Sequence, residues 1–252
     1  MVLSTKLKQS LRIGTKLVRY NLLKKRCPLF INLLLTNRCN LACFYCYPQV
    51  FNRKVKEIST EKWLDIIDKF HEMGTEVISL HGGEPTLHPG IGEIIERVKK
   101  HEMICEVVTN GYYIEKNKTA LKKVDSLGIS IDGTKDENDK NRGDGSFQKA
   151  LEALEFAKSS GLTIRIKAVI TKNNISSLDY LCNLAKEHQV HLNVTLPSIH
   201  TDDEDLLPTT EQTIEFWEKV KDYKLKGYPI AYALSSIDYM LKWPFERNKW
   251  VD

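Results

Sequence analysis

Apolar positions along this chain fall into short blocks of two alternating kinds. "FINLLLT" (30–36) is a continuous apolar run, and "EVISL" (76–80), "MICEVVT" (103–109), "LGISID" (127–132), "LTIRIKAVIT" (162–171) and "VHLNVTL" (190–196) are further short apolar segments. Runs of this length predict strands, and the first reads as a strand buried on both faces. Between them, apolar residues recur at helical spacing. Trp63, Ile66, Ile67 and Phe70 form one stripe, capped by Ser59 or Thr60 and stopped at Gly74. Other helices are predicted from about Gly90 to His101, over roughly 115–123, through Phe147, Leu151, Leu154 and Phe156 up to Gly161, and across "SSLDYLCNLAKEH". The stretch between "LGISID" and "GSFQKA" has no apolar period and reads as a polar loop.

Six strand-then-helix units with short connections predict a parallel sheet with its helices outside. Right-handed crossovers make this α/β fold a partial (β/α)6 barrel of the TIM type, spanning residues 30–200. Residues 201–252 read as a short C-terminal tail, with a helix over 208–226 and then a short strand and a final helix. The tail is expected to cap one end of the sheet or line its mouth. In such folds the functional residues collect at the C-terminal ends of the strands. A cysteine loop, "GGEP", "TNG" and "SIDG" each directly follow a predicted strand, so four unusual loops converge on one mouth.

Residues 1–29 form a separate N-terminal segment. Its first 26 residues hold Lys6, Lys8, Arg12, Lys16, Arg19, Lys24, Lys25 and Arg26 and no acidic side chain. The net charge of +4 therefore hides an asymmetry, since the rest carries 29 basic against 33 acidic residues. Leu3, Leu7, Leu11, Val18 and Leu22 recur at helical spacing through it. The expectation is a leader helix that packs its apolar stripe on the domain; lying on an anionic membrane through residues 1–26 is the alternative. No nucleic-acid partner is expected. The chain has no run of roughly 20 apolar residues and no signal-peptide pattern, which predicts a cytoplasmic protein.

That setting turns the six cysteines from disulfide candidates into metal-ligand candidates. Three lie within eight residues, in "CNLACFYC" (39–46). Three thiolates leave a closed four-ligand zinc site one short, but they can hold three corners of a cubane iron–sulfur cluster and leave one iron open. Phe44, Tyr45 and Tyr47 could shield such a cluster from water and oxygen. His81 and His88 bracket "GGEP" and read as hydrogen-bonding residues, although His81 as a fourth ligand would allow a Cys3His zinc site. Cys105 and Cys182 fit apolar stripes and read, with Cys27, as inert thiols.

The CxxxCxxC loop after the first strand, "GGEP" after the second and an Asp-Gly loop after the fourth together resemble the radical S-adenosylmethionine superfamily. The resemblance covers roughly residues 30–196. It implies that Cys39, Cys43 and Cys46 ligate a 4Fe–4S cluster whose fourth iron is chelated by S-adenosylmethionine. The backbone of Tyr45 would lie near the adenine, and Gly82, Gly83, Glu84 and Pro85 would receive the methionine ammonium group, with glycines allowing close backbone approach. Ser130 and Asp132 would reach the ribose or methionine moiety. Thr109 and Asn110 would face the same mouth, Arg142 would pair with the methionine carboxylate, and Val169 and Leu196 would contact adenine. The Gly-rich adenine motif of some members is missing from the fifth strand.

The implied activity is reductive cleavage of S-adenosylmethionine to a 5′-deoxyadenosyl radical that abstracts hydrogen from a peptide, cofactor precursor or lipid. A one-electron donor such as flavodoxin or ferredoxin would supply the electron, and no acid–base residue is assigned to the initial step. The rival reading is a non-catalytic iron–sulfur or zinc-binding scaffold. With no cysteine after Cys182, the chain is expected to be a single-cluster enzyme or a form lacking an auxiliary-cluster extension.

Overall fold

A computed structural model of the chain describes residues 5–23, 27–46, 56–197 and 206–242. Helix α1 (Thr5–Leu22) precedes six strand–helix units: β1 (Phe30–Leu34) and α2 (Thr60–Glu72), β2 (Val77–His81) and α3 (Ile91–Lys100), β3 (Ile104–Thr109) and α4 (Ile114–Leu121). There follow β4 (Ser126–Ser130) with α5 (Lys135–Arg142) and α6 (Ser146–Ser159), β5 (Thr163–Val169) with α7 (Leu178–His188), and β6 (His191–Thr195). Helices α8 (Thr210–Leu225) and α9 (Leu234–Lys242) complete the described residues. The strands form one parallel sheet in sequence order, β1 to β6, open between its two ends. This is the partial barrel that the alternation of periods predicts.

The core lies between the sheet and the helices. Ile78, Leu80, Cys105, Val107, Leu127, Ile129, Ile166 and Leu192 point outward from the strands against Ile67, Ile94, Ile95, Leu121, Leu154 and Leu181, all fully buried. Each such side chain contributes roughly 1.5–3 kcal/mol through burial. Ser59 caps α2 by accepting from Lys62 N at 3.3 Å, as its position predicts. The tail shares this core through Phe216, Trp217, Val220, Ile230 and Ile237. Its predicted strand is reduced to one parallel bridge, Leu192 to Ile230. That bridge covers the β6 edge, where unpaired backbone groups would otherwise face outward.

Three expectations need correction. β1 is buried on one side only: Leu33 and Leu35 face the core, while Phe30 and Leu34 are about half exposed. Phe30 and Leu34 pair in register with Val77 and His81, so they lie on the inner face of the open sheet, while Leu33 and Leu35 turn toward the helices. The stretch read as a polar loop contains α5, which has no apolar stripe and is instead fixed by a capping box between Thr134 and Glu137. It buries Asn138, Asp139, Asn141 and Arg142.

The third correction concerns α1, which docks through Arg12 and Lys16. Arg12 pairs with the buried Glu76 at 2.6 Å and donates to Glu102 O at 2.5 Å, while Lys16 pairs with Glu76 and donates to Gly74 O at 3.3 Å. Glu76 and Glu102 precede β2 and β3, so α1 sits at the N-terminal end of the sheet, opposite the mouth. Leu11, Val18 and Leu22 on its apolar stripe are exposed. A buried carboxylate needs its counter-charges more than the stripe needs cover. Tyr47, Leu3, Lys24, Lys25 and Arg26 lie outside the described residues, as does the side chain of Leu7.

Candidate active site

The cysteine loop leaves β1 and is tied down at both ends. At its start, Glu57 accepts from the Thr36 hydroxyl and from Asn37 N (3.1 Å) and pairs with Arg38 at 3.2 Å. At its end, the buried Tyr45 donates its hydroxyl to Asp132 Oδ2 at 2.5 Å. Cys46 N donates to Cys43 O at 2.9 Å, which closes the turn carrying the second and third thiols.

The donor set fits a cubane cluster. Cys39, Cys43 and Cys46 are close enough for their charges to act on one another, and burial pushes the Cys39 thiol up and Cys43 up to about 11, with Arg142 opposing at Cys43. Two N–H groups point at the Cys39 sulfur, from Leu41 N at 3.4 Å and Asn110 Nδ2 at 4.0 Å. Such donors stabilise a metal-bound thiolate. Among the described residues no three His, Cys, Asp or Glu side chains converge as the ligands of a single ion do. In a cubane each thiolate meets a different iron, so the sulfurs stand further apart.

The loop after β2 lies directly against the cysteine loop. Leu35 N donates to His81 O (2.8 Å), Gly83 N to Thr36 O (2.7 Å) and Glu84 N to Arg38 O (2.8 Å). A Cβ on Gly82 would stand 2.7 Å from Thr36 O, and one on Gly83 would collide with Arg38 O. The two glycines thus let these backbones touch. Glu84 is buried and accepts four hydrogen bonds: Oε1 from Thr86 N (3.2 Å), Thr86 Oγ1 (2.5 Å) and Thr109 Oγ1 (2.8 Å), and Oε2 from Asn110 N (2.8 Å). Burial pushes its carboxyl up against these bonds. Asn110 also donates to Asn40 Oδ1 at 3.0 Å. The end of β3, the GGEP loop and the cysteine loop are thereby one hydrogen-bonded unit, and Pro85 opens the buried turn Pro85–Leu87 beside it.

Asp132, just beyond β4, holds the other side. Its carboxylate is fully buried and accepts from Tyr45, from Arg142 through Nε and Nη2 (both 2.8 Å), and from Val169 N (3.0 Å). Its backbone is gripped by Asn138 Oδ1 (2.8 Å) and Asn174 Nδ2 (2.7 Å). The Arg142 guanidinium also lies 5.6 Å from the centre of the Tyr45 ring. Arg142, expected to pair with a cofactor carboxylate, is therefore engaged bidentately by Asp132. Ser130 and Leu196 end up half buried near the strand ends.

Glu57, Asn138 and Asn174 carry no local signal, since each lies in a polar stretch without a hydrophobic period. His88 Nδ1 accepts from Gly90 N at 3.1 Å at the start of α3. His81 Nε2 lies 2.8 Å from Ser79 Oγ, and burial together with Lys167 lowers its pKa to about 4. Its ring is thus engaged on the inner face of the sheet, and Cys105 and Cys182 are buried.

The family model for the radical SAM superfamily matches residues 33–176. This chain belongs to the radical SAM superfamily. Radical SAM proteins use a 4Fe–4S cluster and S-adenosylmethionine, which the three-cysteine loop suits. Among curated relatives, the chain is 34% identical over 200 residues to mycofactocin maturase MftC of Mycobacterium tuberculosis, covering 76% of this chain and 51% of that protein. It is 30% identical over 208 residues to Fe-coproporphyrin III synthase of Methanosarcina barkeri, covering 77% and 52%. The chain thus spans about half the length of the curated relatives it matches. Its fold is similar to that of Streptococcus suis SuiB bound to S-adenosylmethionine, with a TM-score of 0.72 and 20% identity over 82% of this chain and 50% of that one. The structure of SuiB with its precursor peptide SuiA gives 0.72 and 19% over 88% and 54%.

Proposed function

We propose that this chain is a radical S-adenosylmethionine enzyme whose active site is the mouth bounded by the cysteine loop, the GGEP loop and the Asp132–Arg142 pair. Bound there, the cluster and S-adenosylmethionine would supply a 5′-deoxyadenosyl radical for hydrogen abstraction from a substrate. The observation that carries this reading is the double anchoring of the cysteine loop. Tyr45 fixes its end to Asp132 beyond β4, and Gly83 and Glu84 fix its start to the segment beyond β2. Cys39, Cys43 and Cys46 would hold three irons. Glu84 orders Thr109 and Asn110 at the end of β3, and Asn110 extends that order to Cys39. The buried Tyr45 ring lies between the cysteine loop and the Asp132–Arg142 pair that it contacts. Anaerobic reconstitution with iron and sulfide tests the reading: a brown cluster whose spectrum responds to S-adenosylmethionine supports it, and colourless protein opposes it.

The electron would come from a small donor such as a flavodoxin or ferredoxin, in a cytoplasmic setting. No helix among the described residues is long and apolar enough to cross a membrane. A peripheral contact fits α1 better than a packed leader does. Leu11, Val18 and Leu22 form an exposed apolar stripe in a segment that has no acidic residue and six basic ones besides Arg12 and Lys16, which Glu76 engages. An anionic bilayer complements both properties, whereas a second copy would bring like charges together. Since α1 lies opposite the mouth, such docking would turn the active site away from the bilayer, which disfavours a lipid substrate.

A further inference from the structure

The inner face of the sheet carries a band of polar and charged side chains, flanked by Phe30, Leu34, Val77, Ile104 and Val108. Strand periodicity places Ser79 and His81 on β2, Glu106 on β3, Ser126, Gly128 and Ser130 on β4, Arg165 and Lys167 on β5, and Asn193 on β6 side by side, since Ser79 pairs in register with Glu106, Glu106 with Ser126, Gly128 with Arg165, and Lys167 with both Ser130 and Asn193. In "TIRIKAV" the alternation is visible in the sequence itself, with Ile164, Ile166 and Ala168 buried outward and Arg165 and Lys167 inward. Closed (β/α) barrels fill this space with branched apolar side chains. Here it holds ionic groups.

These groups are linked. Glu106 is buried and accepts from Ser79 Oγ at 2.7 Å; Arg165 reaches it at 3.2 Å and Lys167 at 3.6 Å. Arg165 Nη1 also donates to Ser126 Oγ at 3.1 Å. Burial tends to neutralise Glu106, but Lys167, Ser79 and Arg165 hold its carboxyl below the usual range. His81 is neutral at pH 7. Two cations therefore face one carboxylate, leaving one positive charge in surplus. Both cations stay partly open to solvent, with side chains 37% and 30% exposed, against 6% for Glu106.

Room has been made for one of them. A Cβ on Gly128 would stand 2.9 Å from Val108 Cγ2, 3.1 Å from Lys167 Cε and 3.3 Å from Lys167 Cγ, so the Lys167 stem and Val108 both lie against this glycine. A glycine inside a strand marks such a close approach. Lys167 is two residues before Val169, whose N–H binds Asp132. One pleat, roughly 7 Å, thus separates the cation from the rim of the candidate active site.

We propose that this inner face is the substrate chamber and that Lys167 and Arg165, held in place by Glu106, bind an anionic group of the substrate, a carboxylate or a phosphate. The proposal rests on reading the mouth above it as the active site. It makes Glu106 a positioning residue and the two cations the specificity-determining contacts. A neutral ligand would leave the surplus charge uncompensated at the bottom of a half-enclosed chamber. An anion reaching down from the mouth would meet it while its other end stayed near the strand ends.

Calorimetric titration of the reconstituted chain with pyrophosphate and, separately, with tricarballylate tests this, the two probes standing for phosphate and carboxylate. At least one should bind in the absence of S-adenosylmethionine. Its affinity should fall about tenfold or more in Lys167→Gln, return to within about threefold in Lys167→Arg, and rise in Glu106→Gln, whose amide oxygen still accepts from the cations and keeps them in place while the competing charge is gone. Should Lys167→Gln fail to fold, the other two variants still carry the comparison. Failure of both anions to bind, or equal affinity in unaltered and variant proteins, overturns the proposal. Binding of S-adenosylmethionine by the unaltered protein, measured alongside, reports on the mouth independently.

Discussion

Tyr45 and Asp132, 87 residues apart in the chain, share a 2.5 Å hydrogen bond that fastens the end of the cysteine loop to the end of β4. Removing the Tyr45 hydroxyl leaves Asp132 with Arg142 and Val169 N, so Tyr45→Phe should cost only about 1–3 kcal/mol of stability. Asp132→Asn should cost more, about 3–5 kcal/mol, because it strands a buried guanidinium. Urea denaturation of the two variants checks the order. If Tyr45→Phe is the more damaging, Asp132 is not the anchor.

Glu84 orders two strand-end loops without touching a thiol. Glu84→Ala should therefore reduce S-adenosylmethionine binding by about tenfold or more while iron content after reconstitution stays near that of the unaltered protein. Its four donors, left unmatched in the interior, should also lower stability by several kcal/mol. Iron and cofactor assays on the same preparation separate the effects. Parallel loss of iron and cofactor binding would place Glu84 with the cysteines instead.

His81 gives the fold a pH dependence of known sign. Its pKa is about 4 in the folded chain against 6.5 ordinarily. Below pH 6.5 the unfolded chain gains a proton that the folded chain refuses, so stability present above that pH is lost as pH falls towards 4. The loss amounts to about 3 kcal/mol. Denaturation curves of the unaltered protein and His81→Gln should converge by that amount across this window. Parallel curves would show that the imidazole is charged or exposed.

The α1 stripe should bind anionic vesicles. Sedimentation with phosphatidylglycerol liposomes should carry the protein down at low salt and release most of it at high salt, since each surface-near Lys or Arg contributes about 1 kcal/mol. Leu11→Ser with Val18→Ser should abolish binding. Equal, negligible binding at both salt concentrations removes the membrane contact, and a dimer without lipid would assign the stripe to a second copy.

Much of this was legible beforehand because it rests on period and punctuation. The period-2 run 163–169 and the helical stripe ending at Gly74 fixed where the sheet and helices lie. The loops carrying Cys39–Cys46, Gly82–Pro85 and Asp132 stood out because each follows a strand. What stayed hidden depends on pairing between distant polar residues. Nothing local to Glu76 says that Arg12 and Lys16 will neutralise it, so the orientation of α1 was read the wrong way round. Helix α5 was missed because its buried face is Asn138, Asp139, Asn141 and Arg142, which no hydrophobic periodicity reports. The chamber was readable in principle: Arg165 and Lys167 alternate with Ile164 and Ile166, a pattern at odds with a packed barrel interior.

The central claim is that three thiols in one anchored loop support reductive cleavage of S-adenosylmethionine. Loss of any of them, as in Cys43→Ala, should abolish the cluster, whereas Cys105→Ala, buried among apolar side chains on the far face of the sheet, should retain it. The direct measurement is 5′-deoxyadenosine and methionine production by the anaerobically reconstituted chain with S-adenosylmethionine and dithionite. The two products should form in about equal amounts, slowly even without substrate, and neither should form with Cys43→Ala. Cluster-containing protein that yields no 5′-deoxyadenosine with either dithionite or reduced flavodoxin would contradict the account and favour a scaffold.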